Sequence, residues 1–456
     1  MTIFFLVTVN LLSISHKLFN PPSSPNVLLI VADALRADHL GCYGYDRPTS
    51  PQIDNFAAES LVFERALSNS PWTKPSMGTI FTSLYPHQHQ AFHWSDNLKN
   101  ECLTLAEVFR NRNYSTFAKQ TNPSITKKYN FNQGFQHYEE MVLEKGERVT
   151  NKFIEWLRKN KNKPFFAYLH YMDTHFPYNA PREFSRIFGI KEDSLFNPGE
   201  FKTVDIRLLT EMGLSAEEKN HLISLYDGAI KYFDYNFKVI MDNLKELKIT
   251  DKTIIVFTAD HGEEFWDHGG FAHGHTLYRE LLHVPLIIRY PPLFQAERIK
   301  FNVPLLDLFP TILSMAGIKD IFDSKGKDLI AIIRNKSSAD HEIYCEGLLD
   351  GVEKKAIIKD EWKLIENTGQ KNKDSFLLLG ELTRYKYPEY ESGFELYNIK
   401  HDFSETYNQI NNFPQIAGEL KAYLRLFKMP PLNYRKQKID NYQKKLEDLK
   451  SLGYIK

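Results

Sequence analysis

An α/β fold is predicted by three runs of the sequence and by what lies between them. "NVLLIVAD" (26 to 33), "PFFAYLHYMD" (164 to 173) and "TIIVFTAD" (253 to 260) are continuous apolar stretches that each end in an acid. Runs without alternation read as parallel strands covered on both faces. Amphipathic stretches with helical spacing separate them, so strands alternate with helices. In open α/β sheets, function collects beyond the carboxyl ends of the strands. All three runs place Asp or His there.

Taken in order, residues 1–24 open with "MTIFFLVTVNLLSIS", apolar for about the length of a signal-peptide core. The run is too short for a usual membrane span and has no Lys or Arg before it. An export signal or membrane anchor and a buried helix both fit. An extracytoplasmic or membrane-associated location is therefore set slightly ahead of a cytoplasmic one. The first strand follows, then "SPWTKPSMGTIFTSLYP" (70 to 86), read as a helix start with Thr73 as cap and Pro75 in the first turn. "LTLAEVFRNRN" (103 to 113) and "RVTNKFIEWLRKN" (148 to 160) are helices by their spacing. From 185 to 225 the periodicity is weak, as in a peripheral insertion, and a long helix follows from "HLISLYDGAIKYF". After 335 the texture becomes short alternating strands, "EIYCEGLL", "KKAIIKDEWKLIEN" and "FELYNIKHD", which predict a small antiparallel sheet. The tail, "NYRKQKIDNYQKKLEDLKSLGYIK", reads as a charged helix with a solvated face. Residues 25–335 thus make a catalytic domain and 336–456 a C-terminal α+β subdomain.

Bulk composition narrows the function. The 456 residues carry 57 basic and 57 acidic side chains, so bulk electrostatics gives no reason to expect a nucleic-acid partner. Three widely spaced cysteines, Cys42, Cys102 and Cys345, form neither a disulfide framework nor a CxxC metal site. Oligomeric state is not legible.

The chemistry gathers at the strand ends. Asp33 closes the first run, and Asp260 closes the third with His261 beside it. Carboxylate oxygens and an imidazole nitrogen at neighbouring strand ends suit one divalent ion. A cation there would lower the pKa of a nearby hydroxyl, giving Thr73 a nucleophilic role that capping does not exclude. Five histidines lie between 261 and 283, which makes a polar or metal site a better reading than surface placement. In "LHYMDTHFPY" His175 is the candidate to stabilise an oxyanion or protonate a leaving oxygen. Asp173 would contact substrate or cap the next turn. His170, inside the strand pattern, reads as a packed residue.

These segments resemble the sulfatase family of the alkaline phosphatase superfamily. "PNVLLIVADALRADHLGCYGY", "TKPSMGTIFTSLYP", "HYMDTHFPY", "FTADHGEEFWDHG", "HGHTLYRELLHVPLIIRYP", "VPLLDLFPTILSMAGI" and "ELYNIKHDFSETYN" occur in the order such proteins show. The resemblance implies an α/β/α sandwich with a large mostly parallel sheet and a small C-terminal antiparallel sheet plus helix. It also marks departures. Thr73 stands where most members convert a cysteine or serine to formylglycine, Met77 replaces the signature arginine, Ala34 replaces the second of two paired acids, and His261 replaces an asparagine. Asp33, Thr73, Asp260 and His261 are then similar to the metal site of threonine-dependent relatives such as lipoteichoic acid synthases and phosphoethanolamine transferases. A nitrogen ligand tilts that site from Ca²⁺ towards Mn²⁺ or Zn²⁺. By the same resemblance His273 joins Thr73 and His175 as catalytic, while Lys119, Asp173 and His275 bind substrate. The function implied is metal-dependent hydrolysis of a small-molecule or glycan sulfate or phosphate-type ester. A phospho- or phosphoethanolamine transferase and a silent anion- or glycan-binding member are the alternatives.

Overall fold

The computed structural model describes residues 24–189, 210, 213–319, 324–335, 342–349, 351–371 and 393–427. The apolar N-terminal segment, the charged tail and most of the insertion read between 185 and 225 lie outside these residues. Among the described residues no helix is long and apolar enough to cross a membrane.

The three apolar runs become β1 (Asn26–Ala32), β5 (Phe165–Tyr171) and β6 (Thr253–Ala259), each buried along its whole length. Between them come β2 (Leu61–Leu67), β3 (Ser115–Gln120) and β4 (His137–Glu140), and after them β7 (Leu286–Arg289) and β8 (Glu297–Pro304). The order across the main sheet is β8-β2-β7-β6-β1-β5-β3-β4, with the short strand His283–Val284 beside β2. β1 therefore sits between β5 and β6, parallel to both, and Ala32 pairs with Tyr171 on one side and Ala259 on the other. This register brings the ends of all three strands flush.

Successive strand residues point to opposite faces, so two neighbours in β5 show what covers each side. Phe166 stacks at 4.9 Å on Phe109 of α3 (Leu105–Asn111), which follows α1 (Pro51–Ala57) and α2 (Thr73–Thr82), whereas Phe165 meets Trp156 of α4 (Gly146–Asn160) edge-on at 5.7 Å. The long helix α5 (Ala216–Glu246) lies on the α4 side, its Phe233 against Tyr171 and Phe257. It starts with a capping box, Ser215 and Glu218 each bonding the other's backbone N–H. Each such phenyl ring contributes about 1.5–3 kcal/mol by leaving water, which fixes the sandwich.

Strands β9 (Ile343–Cys345), β10 (Val352–Lys359), β11 (Trp362–Lys371) and β12 (Gly393–Asn398) form the antiparallel sheet expected after 335. The alternation does not mark a wet face, because both faces are covered. Ile343, Cys345, Ala356, Ile358 and Ile365 pack on Leu67, Leu277 and Leu282 of the main domain. Their neighbours Tyr344, Ile357, Leu364 and Leu396 pack on Ala417, Leu420 and Leu424 of helix Pro414–Leu426. All three cysteines are free thiols.

Candidate active site

The chain leaves β1 at Asp33, and Ala34 takes a left-handed backbone, φ 56°. That turn swings the Ala34 N–H onto Asp260 Oδ1 at 3.2 Å. It is held from outside by Tyr226, whose hydroxyl donates to Ala34 O (2.7 Å) and accepts from Arg36 N (2.9 Å). Thr174 Oγ1 adds a bond to Asp33 O at 2.6 Å. Aspartate tolerates this left-handed backbone better than alanine does, so the turn at Ala34 owes its closure to the backbone and Tyr226.

Asp260 Oδ1 also accepts the N–H of His261, so both of its bonds come from the backbone, and Oδ2 is left buried without a partner. Asp33 Oδ1 is in the same condition. His261 donates through Nδ1 to Gly262 O (2.8 Å), so Nε2 is the nitrogen that faces the carboxylates and becomes a lone-pair donor once its proton is displaced. Nε2 lies 3.4 Å from Asp33 Oδ1, 3.5 Å from Asp260 Oδ2 and 3.3 Å from Thr73 Oγ1. Two carboxylate oxygens without a hydrogen bond, an imidazole nitrogen and a hydroxyl thus converge where no water reaches. Buried like charges of this kind need a cation, and the O/N donor set suits a divalent ion of the Mn²⁺ or Zn²⁺ type.

Burial works against both carboxylates. At Asp33 the hydrogen bond from His170 and the charge of the nearby His261 ring overcome it, holding the carboxyl well below its usual range. Asp260 is pushed up by burial and by the Asp33 charge. Burial also pushes His261 down, but Asp260 and Asp33 outweigh it and hold the ring at about 9.

Thr73 is not the cap of its helix. The helix spans Thr73–Thr82 with Trp72 at the cap position in extended backbone and without a side-chain cap bond. Thr73 is the first helical residue, and its hydroxyl turns instead to Asp33 Oδ2 (3.4 Å), His261 and Asn122. Met77, at the signature arginine's position, is buried in the apolar core. It leaves no charge that would support a modified nucleophile.

Two residues of the site were missed in the sequence. His170 is not merely packed: its Nε2 lies 2.8 Å from Asp33 Oδ2 and its Nδ1 2.6 Å from Tyr168 OH. Asp33, His170 and Asp260 offer ligand atoms within 4.8 Å of one another. With the tyrosine donating to Nδ1, Nε2 carries the proton, so His170 orients the carboxylate from outside. Its register beside Val31 was the legible signal, available only once the strands are paired. Asn122 lies in "KQTNPS", where Lys119 had been the candidate; its Nδ2 is 2.6 Å from Asp33 Oδ2 and 3.0 Å from Thr73 Oγ1. An Asn-Pro pair reads as a turn former, and nothing local says that its amide faces inward.

The remaining candidates fall in two groups. His175 and His273 join the cluster, their rings 4.8 Å apart and the His273 ring 4.4 Å from that of His261. His273 Nδ1 pairs with Glu263 at 2.9 Å, while burial lowers His175 and keeps it neutral. Lys119, Asp173 and His275 are given other partners. Lys119 pairs with Glu144 at 2.6 Å, His275 with Glu264 at 2.7 Å, and Asp173 Oδ1 accepts the N–H of Gly146 at the start of α4 at 3.0 Å. That bond caps the start of α4, which precedes Asp173 by 27 residues, and not the turn that follows this aspartate. Burial pushes its carboxyl up to about 6, above the unfolded value of 3.8, so its favourable share of stability is complete below about 4 and is lost as pH rises through 6. Asp173→Asn is expected to flatten the fall in melting temperature between about pH 4 and 6 while leaving turnover within twofold, as parallel melting and kinetic series would show.

The family model described as Sulfatase matches residues 25–318. The chain belongs to the sulfatase family. It is 23% identical to a sulfatase of Formosa agariphila over 85% of this chain and 83% of that one. Against arylsulfatase K of Gallus gallus the identity is 23%, covering 93% and 85%. Among solved structures, one in complex with its substrate D-glucosamine-2-N,6-O-disulfate superposes with a TM-score of 0.72 at 18% identity, covering 88% of this chain and 97% of that one. The phosphonate monoester hydrolase of Agrobacterium radiobacter gives 0.67 at 18%, covering 88% and 94%. The sulfatase fold expected from the sequence is therefore shown, and with it the assignment as a hydrolase of the sulfuric-ester type. The family generally uses a divalent metal, and this sulfatase-family chain has a donor cluster that fits one.

Proposed function

We propose that this sulfatase-family protein is a divalent-metal-dependent ester hydrolase with Thr73 as nucleophile, acting on a sulfate or phosphate-type ester of a small molecule or glycan. The observation that carries this reading is the convergence of Asp33 Oδ1, Asp260 Oδ2, His261 Nε2 and Thr73 Oγ1 from three distant segments, both carboxylate oxygens lacking a hydrogen bond. Asp33, Asp260 and His261 would hold the ion beside Thr73. When bound, it supplies positive charge that favours an ionised hydroxyl and offsets the charge on the ester. A sulfated sugar fits the substrate of one structural neighbour and the ulvan-active sulfatase among the relatives, and a phosphonate fits another neighbour.

In the first half-reaction Thr73 Oγ1 forms a bond to sulfur or phosphorus as the bond to the departing oxygen breaks. That oxygen takes a proton. His273, paired through Nδ1 with Glu263, is placed to deliver it and later to take one from the attacking water, while neutral His175 takes the proton that Thr73 gives up and returns it when Thr73 departs. Water then displaces Thr73 from the covalent ester, and the hydroxyl recovers its proton. A threonine nucleophile equally supports transfer to a second alcohol in place of water, and product analysis with an added alcohol separates the two.

The test is a panel of p-nitrophenyl sulfate, bis(p-nitrophenyl) phosphate and p-nitrophenyl phenylphosphonate, offered to chelator-stripped protein and to protein reloaded with Mn²⁺, Zn²⁺ or Ca²⁺. Turnover restored by metal is expected. Turnover of none, with any metal, leaves the silent anion-binding member as the better reading. Loading has its own proton signature. His261 holds a proton up to about 9 in the metal-free protein, so binding must displace it. Mn²⁺ affinity is expected to rise by about tenfold per pH unit between 7 and 8.5, with close to one proton released per ion in calorimetry across buffers.

A further inference from the structure

We infer that Asn122 is a catalytic residue: its amide donates to Thr73 Oγ1 and stabilises that oxygen both as attacking group and as leaving group. The inference rests on Thr73 being the nucleophile. Its geometry comes from the turn after β3. Asn122 Oδ1 accepts from Ser124 N and from Ser124 Oγ, both at 2.7 Å, as the side-chain cap of the short turn Pro123–Ile125. Those two donors fix which end of the amide is oxygen. A flipped amide would set NH₂ against the Ser124 N–H and a carbonyl against the Asp33 carboxylate, opposing like poles at both ends. Nδ2 must therefore face the site. Of its acceptors, Asp33 Oδ2 at 2.6 Å and Thr73 Oγ1 at 3.0 Å are nearer than Met172 Sδ at 3.3 Å, so its two hydrogens go to the carboxylate and the nucleophile.

The amide is 2% exposed and anchored at its far end, so it cannot follow a retreating oxygen or yield to water. A hydrogen bond from it to a neutral hydroxyl is ordinary. The same bond to an oxygen carrying negative charge is about twice as strong, and the difference lowers the barrier rather than the ground state. Thr73 Oγ1 carries such charge twice: while its proton leaves as the bond to sulfur or phosphorus forms, and again when water displaces it. The second step is the harder for a threonine ester, because an alkoxide leaves poorly. Removing the donor should therefore slow breakdown of the covalent ester more than its formation.

The experiment compares wild type, Asn122→Ala, Asn122→Asp and Thr73→Ala, all Mn²⁺-loaded, with p-nitrophenyl sulfate and bis(p-nitrophenyl) phosphate. Expected for both Asn122 variants is a 10²- to 10³-fold fall in kcat with KM within threefold. Asn122→Ala should also accumulate the Thr73 ester, seen as an added sulfate or phosphoryl mass on the intact protein that is absent from Thr73→Ala. The Mn²⁺-induced rise in melting temperature should persist in Asn122→Ala, which shows a folded, metal-binding variant. Loss of that rise would mean that the amide only holds Asp33, and it overturns the proposal. So does a kcat within threefold of wild type, or a loss expressed mainly in KM. Thr73→Ala with wild-type turnover overturns this inference together with the proposed function; inactive Thr73→Ala beside fully active Asn122→Ala overturns this inference alone.

Discussion

Thr73→Ala is expected to lose at least about 10³-fold in kcat on every ester the wild type turns over, with its fold and metal-induced stabilisation intact. The size follows from what is removed. The atom that attacks disappears, while Asp33, Asp260 and His261 remain, so any residual rate is the metal site acting on water. Stability should change little, because Oγ1 makes only long bonds, 3.4 Å to Asp33 and 3.3 Å to His261, beside the one from Asn122. Thr73→Ser keeps the hydroxyl and should retain activity within about tenfold, since a serine rotates more freely at the start of the helix. Intact-mass analysis of the unreacted protein should show an unmodified threonine.

Asp260→Asn should abolish metal-dependent turnover and, at the same time, make the metal-free protein more stable. Wild type holds two carboxylates together in a water-free site, and the single charge of a protonated His261 offsets only one of them. The two carboxylates offer oxygens within 4.8 Å of one another; at an effective dielectric of about 20, unit charges at that separation repel by roughly 3.5 kcal/mol, which sets the ceiling of the gain. Asn keeps the acceptor for the Ala34 and His261 N–H groups and places an NH₂ where Oδ2 faced Asp33. Because Asp260 is pushed above its unfolded pKa, the wild type loses stability as pH rises, and the advantage of Asn grows with it. Melting curves with and without Mn²⁺ at pH 6 and pH 8 check both halves. A variant less stable than wild type without metal at pH 8 would show that the carboxylates do not strain the site.

The fold was legible because burial imposes a simple pattern: a strand covered on both sides must be apolar along most of its length, and β1, β5 and β6 are. Their acids and His261 were legible as strand-end residues. What the sequence hid was direction. His170 and Leu169 look equally internal to β5, and only pairing with β1 shows that the imidazole reaches Asp33. Thr73 looked like a cap because cap propensity is local, whereas the position of Trp72 one residue earlier is set by packing of the whole helix. Asp173 and Lys119 sit in the right segments, yet Gly146 and Glu144, which they meet, belong to the stretch leading into α4. The double covering of the C-terminal sheet was missed because alternation reports one apolar face, and here the second is apolar as well.

The central position of β1 bears on how the polypeptide is made. Its two hydrogen-bonding neighbours begin at Phe165 and Thr253, so a nascent chain emerges with both edges of its most apolar strand unpaired until Phe165–Tyr171 follows, and with one edge still open until Thr253–Ala259, beyond the middle of the protein, has left the ribosome. Such long-range pairing folds slowly and leaves sticky edges exposed in the meantime. Chains released before Ala259 can close neither the sheet nor the ion site, and they are the species a chaperone would have to shield.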